Sequence, residues 1–258
     1  MSELDPLQSL CLQGQQHLMA MQYLLAERTL LQAEVIALKY EDWDTIARLY
    51  MPLQEARRQR RQRCGEGTIK LDFIAQSEND VLEVDAIATK YFQGQFLIAG
   101  WGSMEPALRF RRIAGENQLY AETFLAAVYP IAGGGRAVAI VPNAEVSLPP
   151  ADALPIDRLI ARLPPHSIVM PATELPAGER MGDTTTFAHT MSLWERLHLP
   201  FLATADSTQD AKQRIAAYKK TIAIDYACEL AHQKLSDTAR GLLQVRPAGN
   251  VNRAGAAI

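Results

Sequence analysis

Apolar side chains recur at helical intervals through residues 10–63, at Leu18, Met21, Leu24 and Leu25 and then at Leu31, Val35 and Leu38. No glycine follows Gly14 in this stretch and Pro52 is its only proline. Residues three and four apart share one face of a 3.6-residue turn, so this spacing predicts amphipathic helix. A break falls at residues 40–42, where the Asp42 carboxylate can accept a bond from a free amide of the next turn. A second helix then runs from residue 43 towards 63 and is closed by Gly65.

Between residues 66 and 171 short β-branched or apolar runs alternate with helical patterns, separated by glycine, proline and asparagine. Residues 68–75 read as a strand, and residues 78–92 as a helix burying Val81, Leu82, Val84, Ile87, Ala88 and Tyr91, with Gly94 as its stop. A buried strand at 95–100, a helix at 104–113 and a strand at 123–131, with helix as the alternative there, come next. Gly133, Gly134 and Gly135 turn the chain into a strand at 137–141, which predicts an antiparallel hairpin. A helix at 155–163, with Pro155 in its first turn, and a strand at 167–170 complete the region. Residues 171–183 hold two prolines and two glycines and read as a linker. The helical pattern returns over 186–243 in three segments, with breaks near Ala205 and Asp225.

The expected fold class is therefore α/β: a mixed, mostly parallel, Rossmann-like sheet with flanking helices, plus helical hairpins from both termini. The expected units are an N-terminal hairpin over 1–65, an α/β domain over 66–184, C-terminal helices over 185–245 and a flexible tail over 246–258.

Tyr218, Lys219, Lys220, Thr221, Ile222, Ala223, Ile224 and Asp225 follow the order Tyr-x-Lys-Ala-Leu-x-Leu-Asp-Pro, and His232, Leu235 and Ser236 continue it with an aromatic, a leucine and a small residue. Asp42, Trp43 and Asp44, followed by Ile46, Ala47, Tyr50 and Leu53, form a second such stretch. Both resemble tetratricopeptide repeats, over residues 10–63 and 186–243. The pattern departs at Tyr226, where proline is usual, and at Arg214 and Glu34, where small residues are usual. The resemblance implies closely packed antiparallel helices and a surface for a protein partner. The central region resembles no family.

Composition narrows the partners. Apolar residues make up 48% of the 258, enough for one large core or two moderate ones. Lys and Arg total 26 against 29 Asp and Glu, a net charge of -3, so no global field recruits nucleic acid or an acidic membrane. Cys11, Cys64 and Cys228 lack the close spacing of zinc or redox motifs and read as free thiols. No secretory pattern opens the chain and no window approaches the roughly 18 apolar residues of a membrane span. Cytoplasm is the default expectation, with no cofactor and no metal implied; a homo-oligomer is compatible.

The best pocket candidate is Gly100, Trp101, Gly102 and Ser103, between a buried strand and a helix, where helix amides can hold phosphate. Glu105 stands where the third glycine of a dinucleotide fingerprint belongs, and a tight turn capped by Ser103 is the heavier reading. Gly133–Gly135 reads as a hairpin turn. Arg109, Arg111 and Arg112 spread over two faces of a helix. Arg57, Arg58, Arg60, Arg61 and Arg63 form the densest charge run, read first as a solvated face and second as a partner surface. Glu229 and His232 have the spacing of one half of a di-iron motif, without a second copy. Ser103, Ser167 and Ser192 lack a nucleophile elbow. The chain is thus expected to be a non-catalytic interaction protein, a scaffold or adaptor, with Arg57, Arg58, Arg61, Trp194 and His232 on the interaction surface. The alternative is a nucleotide- or sugar-phosphate-binding enzyme or sensor using the crevice at Gly100–Ser103.

Overall fold

The computed structural model describes residues 5–244; the tail expected over 246–258 lies outside them. The N-terminal block is three helices: α1 (Pro6–Met19), α2 (Tyr23–Lys39) and α3 (Trp43–Glu66). Asp42 caps α3 as expected, its carboxylate accepting from the Thr45 amide at 3.1 Å and the Thr45 hydroxyl at 2.7 Å. The continuous helix expected up to residue 40 is instead broken at residues 20–22, where Met21 takes the left-handed conformation with φ of 56°. No glycine or proline marks this turn. Packing decides it, because α1 folds back onto α2 so closely that a Cβ on Gly14 would lie 2.6 Å from the Leu30 side chain. Met21 and Val35, both placed on the buried stripe by the periodicity, are 68% and 65% exposed. Nor does Gly65 close α3; the helix continues to Glu66, and Gly65 lies against Phe187.

The centre is an α/β sheet of β1 (Thr68–Ile74), β2 (Gln93–Trp101), β3 (Tyr120–Pro130), β4 (Arg136–Val141), β5 (Ile168–Pro171) and β6 (Arg180–Met181), in the order β5-β4-β3-β2-β1-β6. Strands β1, β2 and β3 run parallel, joined by α4 (Val84–Lys90) and α5 (Glu105–Glu116), and α6 (Ile156–Arg162) stands between β4 and β5 in the chain. The other neighbours, β3/β4, β4/β5 and β1/β6, are antiparallel. The sheet is mixed, as expected, but not mostly parallel: two of its five pairings are parallel. The antiparallel hairpin turns through Gly133, Gly134 and Gly135, all at positive φ. The helix expected over 78–92 is shorter because the Asp80 carboxylate accepts from the Gln76 amide at 2.7 Å, holding the preceding residues in a turn, and Val81 is exposed. The expected linker supplies a single 3-10 turn, Ala172–Glu174, and the edge strand β6.

Side chains alternate across the sheet. On β2, Phe96 and Ile98 meet Ile87, Phe110 and Ala114 of α4 and α5, while Leu97 and Ala99 face Leu193, Trp194 and Leu197 of α7 (Thr184–Ser207). Both faces are covered, which is why β2 and β3 read as near-continuous apolar runs.

Helix α7 continues past the sheet into α8 (Ala211–Ile224) and α9 (Glu229–Gln244). The two helical blocks meet: Leu30, Ile46, Tyr50 and Leu53 share one core with Leu202, Ile215, Tyr218, Leu235 and Ala239. Small residues permit the approach, and the Ser236 hydroxyl donates to the Ala47 carbonyl at 2.6 Å. Glu34, in the same interior, accepts from the Tyr50 hydroxyl and pairs with Lys219 Nζ at 3.0 Å, tying α2, α3 and α8 together. Since Leu235 is fully buried where both blocks touch, Leu235→Ala should cost about 2–5 kcal/mol and lower one cooperative melting transition. Differential scanning calorimetry checks this; a separate transition for one helical block would contradict a shared core.

Candidate binding site at the arginine junction

Leu53, Ala56, Arg57, Arg60, Arg61 and Cys64 follow the 3-and-4 spacing of one face of α3, and that face turns inward. The charge run is accordingly split. Arg58 and Arg63 are exposed and pair along the helix with Glu55 and Glu66. Arg57 and Arg61 are 8% and 7% exposed, and Arg60 is half-buried. Trp194 and His232 are also buried, so of the five residues expected on an interaction surface only Arg58 is exposed. The physical reason is ion pairing, which lets arginine enter the interior when each charge finds a partner there.

Glu27 of α2 accepts from Arg57 Nε and from Arg60 Nη1, each at 2.9 Å. Burial alone would raise its carboxyl, but the two guanidiniums hold it below the usual carboxylate range. His232 donates from Nδ1 to the Cys228 carbonyl at 2.8 Å and accepts at Nε2 from Arg57 Nη1 at 3.1 Å, which assigns the neutral tautomer. Burial and the adjacent Arg57 push it down to about 4. Both nitrogens are used, so the Glu229 and His232 pair is not a ligand set; Glu229 instead accepts from Gln54 Nε2 at 3.3 Å. Among the described residues no group of three or more His, Cys, Asp or Glu is arranged to hold a metal ion.

Arg61 stands at the centre. Its Nε lies 2.9 Å from Glu122 Oε1 on β3 and its Nη2 donates to Asp225 Oδ1 at 2.9 Å, in the turn between α8 and α9. Its guanidinium carbon sits 4.7 Å from the ring centres of both Trp194 and Tyr226, a cation between two π faces. Trp194 in turn stacks on Phe124 at 4.2 Å. Asp225 Oδ2 faces His198 Nδ1 at 2.7 Å and Oδ1 accepts from the Ala227 amide at 3.1 Å. Burial would raise Asp225, yet Arg61 and His198 hold it down to about 2. Burial likewise opposes charge on His198, but the Asp225 carboxylate raises it to about 9. The Cys64 thiol is pushed well up by burial and by Glu122, so it is no thiolate nucleophile.

An open cleft of about 400 Å³ lies over this network between α3, α7 and α9. Arg61, Trp194, His198 and Asp225 line it, with Arg58 at its side and Leu199 and Leu230, 46% and 45% exposed, among its apolar residues. Three of the residues picked from sequence, Arg58, Arg61 and Trp194, therefore come together, while Arg57 and His232 lie elsewhere. Glu27, Glu122, His198 and Asp225 were missed. Glu122 did carry a signal, as an acid inside the apolar run of β3.

The Gly100–Ser103 segment forms a tight turn. The Gly100 and Ser103 amides bond each other's carbonyls at 3.1 and 3.3 Å, and Gly102, at φ of 57°, donates to Val128 at 2.8 Å. The Ser103 hydroxyl accepts from the Glu105 amide at 3.2 Å. The amides a phosphate would need are thus engaged. Glu78, Asp80 and Glu105 share the adjoining depression with Trp101, Arg109 and Arg112, and Arg109 is paired with Asp85. Arg111 is separated from its neighbours, donating through Nε and Nη2 to the Thr123 carbonyl at 2.9 and 2.7 Å.

The chain matches no family model, no curated protein and no solved structure. No helix among the described residues is long and apolar enough to cross a membrane.

The two histidines make stability depend on pH from opposite sides. His198, raised from 6.5 to about 9, contributes stability that is fully present below pH 6.5 and lost as pH rises towards 9. His232, lowered to about 4, stays neutral when the unfolded chain takes up a proton, so stability falls as pH drops from 6.5 towards 4. Melting temperature should peak near pH 6.5, and His198→Gln should flatten the alkaline limb while leaving the acid limb. An unchanged alkaline slope in that variant would contradict the His198–Asp225 pair.

Proposed function

We propose that this chain is a non-catalytic interaction protein whose helices, resembling tetratricopeptide repeats, present the cleft between α3, α7 and α9 to a segment of a partner protein. The observation that carries the reading is the cleft: Arg58, Arg61 and Trp194 meet in it, and Leu199 and Leu230 stand half-exposed there. An apolar side chain inserted between the two leucines would displace water from both, and Arg58, Glu195 and Glu229 would supply the charged rim that selects a partner. The interior positions of Tyr218, His232, Leu235 and Ser236 support the repeat reading, and the β1–α4–β2–α5–β3 unit supports a Rossmann-like reading of the parallel part. A binding rather than catalytic role is supported by the state of the histidines and thiol nearest the cleft: His198 is tied to Asp225, His232 is buried and neutral, and Cys64 is protonated. Three free thiols fit the reducing conditions of a cytoplasm.

Because Leu199 and Leu230 are half-exposed, Leu199→Glu should change stability by no more than about 0.5 kcal/mol. A photo-crosslinking amino acid at position 199 or 230 should give one discrete adduct in cells, and the same group at exposed Val35 should not. Excess wild-type protein should compete the adduct away and Leu199→Glu protein should not. Adducts only with a second copy of the chain, or identical adducts from all three positions, would overturn the proposal.

A further inference from the structure

A second space, separate from the cleft and smaller at about 160 Å³, lies between α3, α5, β3 and the turn that joins α8 to α9. It is lined by Arg60, Arg111, Glu122, Thr123, Trp194 and Tyr226, with Ala and Ile side chains completing the wall. Buried side-chain nitrogen and oxygen atoms without a hydrogen-bond partner gather in this lining: Arg60 Nε, Glu122 Oε2, Trp194 Nε1 and the Tyr226 hydroxyl, while Glu122 Oε1 is held by Arg61 Nε at 2.9 Å. Buried polar groups are partnered almost without exception, because each orphan forfeits the hydrogen bonds that water gave it. Unmet donors and acceptors gathered around one cavity point to one shared occupant.

Charge says what kind. Four guanidiniums, those of Arg57, Arg60, Arg61 and Arg111, converge on the junction against three carboxylates, those of Glu27, Glu122 and Asp225. Asp225 is shared further with His198. Arg111 has no carboxylate of its own, only the Thr123 carbonyl. A buried positive excess is stabilised by an anion that brings its own charge, which water does not. The free acceptor on Glu122 adds a second requirement. An occupant with acceptor oxygens alone would leave it unmet and face it with like charge, whereas one that also carries a hydroxyl donates to it.

We propose that this cavity binds a small oxyanion bearing its own hydroxyl, of the bicarbonate, dihydrogen phosphate or short α-hydroxy-acid kind. Its charged oxygens accept from Arg60 Nε, Trp194 Nε1 and the Tyr226 hydroxyl, and its hydroxyl donates to Glu122. The site is distinct from the partner cleft, although Trp194 lines both. An anion seated there would stiffen the wall from which the cleft is built, coupling the two.

The test uses the full chain, dialysed free of polyvalent anions, with glycolate, bicarbonate and phosphate compared against acetate and chloride at equal ionic strength. Calorimetric titration and the melting temperature are the readouts, since a ligand that binds only the folded state raises the latter. Glycolate and at least one of the two inorganic anions should raise the melting temperature, and acetate should bind at least about tenfold more weakly for want of the hydroxyl. Tyr226→Phe keeps the ring beneath Arg60 and Arg61 and removes only the orphaned hydroxyl. It should melt no lower than wild type without ligand, and bind glycolate about tenfold more weakly. Leu199→Glu should leave anion binding unchanged. No response to any hydroxylated anion would mean that water alone fills the cavity; equal responses to glycolate, acetate and chloride, or undiminished binding by Tyr226→Phe, would place any binding elsewhere. Each of these results overturns the proposal.

Discussion

Arg61 carries a full charge into the interior and anchors three parts of the molecule by doing so. It grows from α3, pairs with Glu122 on the central strand β3, and pairs again with Asp225 in the turn between α8 and α9. A buried guanidinium is costly unless several acceptors surround it, and here two carboxylates and two aromatic faces do. The same contacts therefore dictate how the sheet, the N-terminal helices and the C-terminal helices meet. An apolar contact tolerates sliding, whereas an ion pair between buried groups has one good geometry.

Hydrophobic burial supplies the bulk of the driving force and α7 distributes it. Its first half packs Leu193, Trp194 and Leu197 on the sheet, and its second half delivers Leu202 and Ala205 to the core shared by helices from both ends. The arginine junction lies where these two cores adjoin. Polar residues there do what the leucines do not: they specify register. Glu34 does likewise inside the helical core, where its pairs with Tyr50 and Lys219 join three helices.

Of the three residues that depart from the tetratricopeptide-like pattern, Glu34 and Tyr226 mark places where the interior is polar. Arg214, at a position usually small, turns outward and donates to the Thr208 and Gln209 carbonyls at the end of α7. Tyr226, in place of proline, forms a wall of the orphaned cavity and a face of the Arg61 sandwich. The arginine run illustrates the converse. Five arginines within seven residues look like a solvated face when counted, but the spacing of Arg57, Arg61 and Cys64 repeats every third or fourth residue on the side of Leu53. Their partners, Glu27, Glu122 and Asp225, lie 30 to 164 residues away in the chain, so no local window pairs them.

Most of the helices and strands, the Asp42 cap, the antiparallel hairpin at Gly133–Gly135 and the mixed character of the sheet are legible in the chain alone, because each follows from side-chain periodicity, local capping or turn chemistry within a few residues. The tertiary structure alone decided the turn at Met21, the union of the two helical blocks and the inward turn of Arg57 and Arg61. Those depend on contacts between segments far apart in the chain, where burial and charge pairing outweigh local preference.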